Sequence, residues 1–304
     1  MKSSFSVSHA TFAESTRRKG RNVALMTSIL MLGVILVVIC GDWSEVSYRY
    51  LLSRQFVRLQ DNAQGYPEYC HRQTGIVFVR LPGGAAVMGS PEGEPGRSTN
   101  AQLHTVPLSP FLIAKYEVTQ AQYAAVMSGH ARLRAKPSAN LGAAPLDPER
   151  PVERISWDDL KAVDGFLART GLSLASEAQW EYACRAGQGE AYSGTGVLDD
   201  MAWHAGNSGG SHHRVGTKQA NQFGLHDMHG NVWERCFDTY DAAFYSSADA
   251  AGPDPVSIAG SAQRIVRGGR SDQAAQYCRS AYRIAAAPFL PLGEVGVRPI
   301  KILP

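Results

Sequence analysis

The eleven residues from Gly224 to Glu234 combine types that could hold a hard cation. Two glycines, an acid, an Asn, a Trp and a Glu share this short run, which neither an isolated helix nor an isolated strand requires. A packed loop of this composition brings carboxylates and backbone carbonyls together, and calcium prefers such oxygen ligands. The simpler interpretation is a tight turn with Trp233 as a buried anchor.

Four other phrases accompany this loop along the chain. In order, the five are Val87–Ser90, Tyr116–Gln120, Trp180–Gly187, the Gly224–Glu234 loop, and Arg267–Gly269 followed by Cys278–Arg283. In these types and this order the chain resembles the sulfatase-modifying factor family, whose best known members are formylglycine-generating enzymes. The resemblance runs from about Gly75 to Leu303. It implies a single loop-rich α+β domain of the FGE-sulfatase type, related to the C-type lectin fold, over residues 75–304.

The resemblance also assigns ligands to the loop. Asp227, the Gly230 carbonyl, the Val232 carbonyl and Glu234 match, residue by residue, one calcium site of the family. Asp227 stands where the family has Asn, and the added negative charge is compatible with calcium. We therefore expect calcium as a cofactor. The alternative is that Asp227 and Glu234 only hydrogen-bond backbone groups.

The copper chemistry of the family depends on two cysteines near the C-terminus. Cys278 stands at the position that resembles the second of them, and Gln273 stands at the position of the first. Soft thiolates are the natural ligands of Cu(I), and a neutral amide cannot replace one of them. The sequence therefore predicts that copper is not a cofactor and leaves Cys278 as a catalytic residue only if activity is retained.

The same resemblance implies a substrate groove around these positions. Its expected residues are Gly268, Gly269, Arg270, Gln273, Arg279 and Arg283. Arg270 replaces the Ser that commonly follows the paired glycines, and Arg235 replaces a second Trp after Trp233-Glu234. Two large polar substitutions are therefore expected in or near the cleft.

The remaining sulfur and imidazole groups match no metal pattern. Cys70, Cys184, Cys236 and Cys278 allow three disulfide pairings, of which a bridge from Cys184 to Cys278 or to Cys236 is plausible. Five histidines fall in one region, but their spacings fit no zinc motif, so solvated loop histidines are expected. These are His204, His212, His213, His226 and His229. Glu177 and Glu181 are expected to support a helix cap or an ion-pair face.

The N-terminal region departs from the rest of the chain. Residues 23–40 are apolar except for Thr27, Ser28 and Gly33, which is enough to span a bilayer as a helix. Basic residues at 17–21 precede this segment and predict a cytoplasmic tail over residues 1–22. A stalk over residues 41–74 would then lead to an extracytoplasmic, periplasmic domain. A cleaved signal peptide and lipidation at Cys40 are the alternatives.

Charge and periodicity limit the remaining possibilities. The formal net charge of +3 is small and its basic residues are scattered, which argues against a nucleic-acid surface. Strands are expected at residues 76–79 and 111–118, with a loosely helical stalk over residues 43–60. Helices should begin at the caps Thr119, Ser156 and Ser176.

Three functions are compatible with these features. The first is a divergent, non-oxidase family member, a pseudoenzyme that binds an exported protein or peptide outside the cytoplasm. The alternative is a membrane-anchored oxidase that converts a cysteine of a client protein to formylglycine. Carbohydrate recognition by analogy with lectins is a third, although no sugar-binding motif is recognisable.

Overall fold

A computed structural model describes residues 50, 52–129, 147–291 and 293–303. The predicted cytoplasmic tail and the predicted membrane segment at residues 23–40 lie outside these ranges. Within them, no helix has both the length and the apolar character that a bilayer crossing needs.

A six-stranded sheet contains both the first and the last strands of the domain. Its order is β1-β2-β3-β6-β14-β7. The strands are β1 (Phe56–Asp61), β2 (Pro67–His71), β3 (Val77–Leu81), β6 (Phe111–Ala114), β7 (Ser173–Leu174) and β14 (Pro299–Ile302). Strand β14 lies between β6 and β7 and is antiparallel to both. The C-terminal segment therefore joins β7 to the rest of the sheet. The predicted strand at residues 76–79 is confirmed as part of β3.

The predicted stalk is corrected over residues 56–71, because β1, β2 and the turn between them occupy these residues. Strand β1 pairs with β2, and β2 pairs with β3. Phe56 is 2% exposed, and its ring centroid lies 5.3 Å from that of Phe78 in an edge-to-face contact. The spacing of apolar residues predicted a loose helix over residues 43–60. Pairing with β3 and the burial of Phe56 decide in favour of strands.

A second sheet and two strand pairs complete the β structure. The second sheet has the order β12-β11-β10-β13. Its strands are β10 (Trp233–Thr239), β11 (Arg264–Arg267), β12 (Arg283–Ala286) and β13 (Val295–Gly296). The two pairs are β4 (Gly84–Met88) with β5 (His104–Leu108), and β8 (Ala202–Trp203) with β9 (His229–Gly230). The short β9 lies inside the Gly224–Glu234 loop, and β10 begins where that loop ends.

The helices are short, and their predicted caps are confirmed. They are α1 (Gln120–Met127), α2 (Trp157–Lys161), α3 (Phe166–Thr170), α4 (Glu177–Arg185) and α5 (Leu198–Met201). In the described part of the chain, three 3₁₀ turns also occur, at Phe244–Ser246, Asp249–Ala251 and Ala275–Cys278. The hydroxyls of Thr119, Ser156 and Ser176 each accept the backbone N–H three residues further on, at 3.2, 2.9 and 3.1 Å. Each of these helices therefore begins where the sequence predicted.

The helix expected after Ser156 is divided in two, as α2 and α3. Val163, which one continuous helix would place on the same face as Leu160 and Leu167, is 97% exposed. Gly165 caps α3, and a Cβ atom there would lie 2.3 Å from the Asp159 carbonyl oxygen. Only glycine tolerates this close approach, so the chain turns back at this point instead of continuing the helix.

Candidate functional site

Helix α4 is buried along its whole length and anchors the segments around it. Glu177 binds Arg283 through two hydrogen bonds of 2.8 and 2.6 Å. Glu181 accepts a 2.8 Å hydrogen bond from Arg185 and also pairs with Arg267, which is fully buried. The ion-pair alternative stated for Glu177 and Glu181 is therefore confirmed, and these pairs attach α4 to β11 and β12.

The paired glycines after β11 permit close packing on this helix. Gly268 and Gly269 have φ values of 99° and 82°, which disfavour residues with a Cβ atom. A Cβ atom at Gly269 would lie 2.6 Å from the Cys278 sulfur, and one at Gly268 would lie 3.3 Å from the Trp180 ring. The glycines therefore bring Cys278 against the backbone of the turn.

Cys278 is a buried, protonated thiol at neutral pH. It is fully buried at the end of the Ala275–Cys278 turn. Burial raises the pKa of its thiol to about 12, although hydrogen bonds from the backbone of Gly230 and Arg270 favour the thiolate. Gln273 is partly exposed, and its backbone bonds to Arg270 and Ala205 at 3.0 Å each. The two positions thus lie on one segment, but only one of them carries a thiol.

The two disulfides considered for Cys184 do not form in this structure. All four cysteines of the described residues are free thiols, including both proposed partners of Cys184. The Cys184 sulfur instead lies 3.7 Å from the Met228 carbonyl oxygen and 3.7 Å from Nε2 of His229. Burial raises the pKa of Cys184 to about 12, and the nearby Cys184 contributes to the raised pKa of Cys278.

Two arginines that were expected in the groove are buried in ion pairs. Arg279 is 2% exposed and pairs with Glu94, and its guanidinium also donates to the Gly96 carbonyl. Arg283 is 4% exposed and holds Glu177, as described above. Both side chains are therefore unable to contact a ligand without breaking a buried pair.

Arg270 and Arg235 differ in exposure, because Arg270 is partly exposed and Arg235 is buried. The Arg270 side chain is 29% exposed, pairs with Asp272 and donates to the Gly293 carbonyl at 3.4 Å. Arg235 is 1% exposed and donates to the carbonyls of Ile155 and Leu290, each at 2.8 Å. Arg235 was expected in or near the cleft, but it is a buried link between loops. Among the expected groove arginines of the described structure, only Arg270 faces solvent.

Buried carboxylates surround the Gly224–Glu234 loop. Both oxygens of Glu234 are held by Arg298, at 2.7 to 3.0 Å, and one also accepts the Trp180 indole N–H at 2.6 Å. Asp227 has φ of 57°, and its Oδ2 accepts the Gly216 N–H at 2.6 Å. Glu117 accepts the Asn231 amide at 2.6 Å and the Val232 N–H at 3.2 Å. One guanidinium thus faces three carboxylates.

Burial, with a smaller contribution from the neighbouring acids, raises the pKa values in this cluster. Burial raises the pKa of Asp227 to about 6, against an ordinary value of 3.8, while the Gly216 hydrogen bond and Arg298 oppose the shift. Burial, Asp227 and Glu234 together raise the pKa of Glu117 well above its ordinary value. Oδ1 of Asp227 is buried and has no hydrogen-bond partner among the described residues.

Three of the histidines expected to be solvated are buried. His204, His212 and His229 are 8%, 5% and 1% exposed. Burial lowers the pKa of His212 and of His229 to about 4, so both are neutral at pH 7. His229 bonds to the Cys278 carbonyl through Nδ1 and to Ser193 through Nε2, at 2.7 and 2.9 Å. This ring therefore positions the Cys278 segment.

Residues 64–303 match the sulfatase-modifying factor enzyme 1-like domain, which covers most of the chain. The chain belongs to the sulfatase-modifying factor family. A formylglycine-generating enzyme of Streptomyces coelicolor is 30% identical over 281 residues, covering 72% of this chain and 87% of that enzyme. The inactive C-alpha-formylglycine-generating enzyme 2 of Bos taurus is 32% identical over 108 residues, covering 31% of this chain and 35% of that protein.

A solved structure has the same fold. PvdO from Pseudomonas aeruginosa superposes with a TM-score of 0.66 at 25% identity, covering 81% of this chain and 98% of that chain. The mixed α+β fold expected from the sequence is therefore confirmed. The family match begins at residue 64 and the sheet at Phe56, so the folded domain starts earlier than the predicted boundary at residue 75.

The calcium ion implied by the family fits the residues present only in part. Asp227 offers a buried oxygen without a partner, which suits a hard cation. Glu234 is committed to Arg298 and Trp180, so its carboxylate is not available without rearrangement. In the described parts of the chain, no group of three or more His, Cys, Asp or Glu side chains is arranged to hold a metal. Any calcium here would depend on backbone carbonyls such as those of Gly230 and Val232.

Sequence reasoning missed the partners of the site. Glu117, Arg298 and Glu94 were not singled out, although each makes a buried contact with a predicted site residue or with the loop. Glu117 and Arg298 lie 117 and 64 residues from Glu234 in the sequence, and only the fold brings them together. Glu117 lies in the Tyr116–Gln120 phrase, which indicated the family but not the contact with the loop, and nothing in the sequence near Glu94 or Arg298 indicates a buried partner.

Proposed function

We propose that this protein is a divergent, non-oxidase member of the sulfatase-modifying factor family that binds an exported protein or peptide. The observation that carries this proposal is the state of Cys278, a buried and protonated thiol whose segment holds Gln273 in place of a second thiol. Copper-dependent oxidation needs two soft ligands, and this segment supplies one.

The copper test compares the full-length chain with two variants at one position. The reduced wild-type protein is expected to bind Cu(I) weakly and below one equivalent. Gln273→Cys restores the second thiol and is expected to raise the bound copper towards one equivalent, whereas the matched control Gln273→Ser leaves it unchanged. Stoichiometric copper on the wild-type protein, together with aldehyde formation on a cysteine-containing model peptide, would contradict the proposal.

The formylglycine-generating oxidase remains a second candidate because of Cys184. Its thiol is close enough to influence the pKa of Cys278, so a second sulfur is present near the site from another element. If this candidate is correct, the wild-type protein binds copper and oxidises the model peptide, and Cys184→Ser abolishes both. This outcome is distinct from the result expected above.

Binding of a client is tested at Arg270, whose side chain is partly exposed. A photo-crosslinking amino acid at position 270 of the full chain, expressed in its native host, is expected to capture a discrete exported protein. The same amino acid at the 97% exposed position of Val163 is the control. Equal crosslinking from both positions would argue against a binding surface at Arg270.

The proposed location depends on the apolar segment at residues 23–40 and on the basic residues before it. These features support one membrane helix with the domain outside the cytoplasm, in the periplasm. A C-terminal alkaline phosphatase fusion is expected to be active in a bacterial host. A C-terminal fluorescent protein that matures only in the cytoplasm is expected to stay dark, and the reverse result would place the domain inside.

Calcium as a cofactor is also a proposal, supported by the partnerless Oδ1 of Asp227. If calcium binds there, millimolar calcium raises the thermal unfolding midpoint of the wild-type protein, and Asp227→Ala removes the increase. An unchanged midpoint with calcium and with a chelator would show that the cluster is held by Arg298 and by protons instead.

A further inference from the structure

A cavity of about 360 Å³ lies away from the groove segment. It is bordered by β7, the start of α4 and the end of β14, and none of its lining residues belongs to residues 268–283. Its volume falls within the range of small-molecule sites, about 300 to 1,000 Å³. The cavity therefore has the size of a binding site of its own.

The lining of the cavity is mainly apolar. Leu174 and Leu303 are 3% and 7% exposed and form its buried part. Val256 and Ile302 are 36% and 61% exposed and lie on its solvent side. Phe237 also lines the cavity and is partly buried. An aliphatic group that enters the cavity would remove this apolar surface from water, which is favourable at about 25 cal/mol per Å².

The polar groups of the lining present donors. In the capping box of α4, the Ser176 hydroxyl oxygen accepts from the Gln179 backbone, and the Gln179 side-chain oxygen accepts from the Ser176 backbone. The acceptors of both side chains are thus used, whereas the Ser176 O–H and the Gln179 amide N–H groups donate to no described residue. The first backbone N–H of the helix, that of Glu177, is taken by Asp238.

The charged side chains of the lining are Lys161 and Asp254. Both oxygens of Asp254 accept hydrogen bonds from Ser109, at 2.8 and 2.6 Å. Nζ of Lys161 lies 5.1 Å from the centroid of the Phe237 ring, and no carboxylate of the described residues pairs with this ammonium. Lys161 is therefore the charged donor of the lining, whereas Asp254 keeps its negative charge with both oxygens occupied by Ser109.

We propose that this cavity binds a small aliphatic carboxylate. The hydrocarbon part packs on Leu174, Leu303 and Phe237, and the carboxylate accepts from Lys161 and from the donors at the start of α4. Charge-assisted hydrogen bonds of this kind are about twice as strong as neutral ones. The site does not depend on the proposed function, because it shares no residue with the groove segment.

The experiment measures ligand binding to the full-length protein by calorimetry. Two probes carry the same chemistry, hexanoate as a free acid and acetyl-Leu-Leu as a peptide C-terminus. Each is compared with its neutral amide, hexanamide or acetyl-Leu-Leu-amide. Binding of either acid with about tenfold preference over its amide supports the proposal. The acid that binds more tightly identifies the source of the carboxylate.

Two variants separate the charge from the fold. Lys161→Gln keeps much of the side chain but removes the ammonium, and it is expected to weaken acid binding about tenfold while amide binding is unchanged. Lys218→Gln removes the same charge outside the cavity lining and is expected to bind as the wild type does. Thermal unfolding confirms that each variant folds. The proposal is overturned if neither acid binds at millimolar concentration, or if Lys161→Gln binds both acids as tightly as the wild type.

Discussion

Two buried charge clusters flank Trp180 and differ in their balance. Around α4, Glu177 and Glu181 face Arg185, Arg267 and Arg283. Around the Gly224–Glu234 loop, three acids face one base, with Arg298 opposite Glu117, Asp227 and Glu234. In the first cluster each acid is paired with an arginine and the bases exceed the acids by one, so these ion pairs hold α4 against β11 and β12. The second cluster carries excess negative charge, so it responds to protons and to cations.

The largest effect is expected in the α4 cluster, where both carboxylates are paired with buried arginines. Arg267→Met removes a fully buried guanidinium and leaves Glu181 without one of its partners. A broken buried ion pair costs about 3 to 5 kcal/mol. Denaturant unfolding followed by tryptophan fluorescence measures this loss. The matched control Arg270→Met, at a partly exposed position, is expected to cost less than about 1 kcal/mol. Similar losses for both variants would show that the buried ion pairs of α4 contribute no more to stability than a partly exposed arginine does.

A smaller, pH-dependent effect is expected at Arg298. Arg298→Met leaves the three acids of the loop cluster without a base, and the expected loss is about 3 kcal/mol at pH 7. Because the pKa values of Glu117 and Asp227 are raised, these acids take up protons on mild acidification, and the loss at pH 5 is expected to shrink. The same denaturation series at the two pH values measures it. A loss that does not change with pH would show that protonation of the acids does not distinguish the loop cluster from the α4 cluster.

The smallest effect is expected from Asp227 itself. Its folded pKa of about 6 exceeds the ordinary 3.8, so the folded state binds this proton more readily than the unfolded state. The free energy of unfolding therefore falls as the pH rises from about 4 to 6, by about 2 kcal/mol from this group. Asp227→Asn is expected to flatten the decline.

A control at Asp147 has the opposite sign. Its hydrogen bond to Arg214 lowers the pKa of this partly exposed acid, so any stabilisation from it is lost as the pH falls. Asp147→Asn should therefore leave the decline between pH 4 and 6 in place. If Asp227→Asn also leaves it in place, the excess charge of the loop cluster is not carried by Asp227.

The cap residues and the glycine pair show how much local sequence could predict. Thr119, Ser156 and Ser176 fix helix starts because their hydroxyls reach N–H groups only three residues away. The order of the five phrases likewise predicted the family, which the match over residues 64–303 bears out. The residue types at Gln273 and Cys278, and hence the absence of a second thiol on that segment, are also legible in the sequence alone.

The tertiary structure alone decided which polar side chains are available. Arg279 and Arg270 are both arginines of one predicted groove. Arg279 is buried in an ion pair with Glu94, which lies 185 residues away in the sequence, whereas Arg270 stays partly exposed. Residues 56–61 and 67–71 form strands because β3 pairs with β2, and β2 pairs with β1. Local propensity acts through contacts a few residues apart, whereas burial and charge balance depend on segments that meet only after the chain has folded.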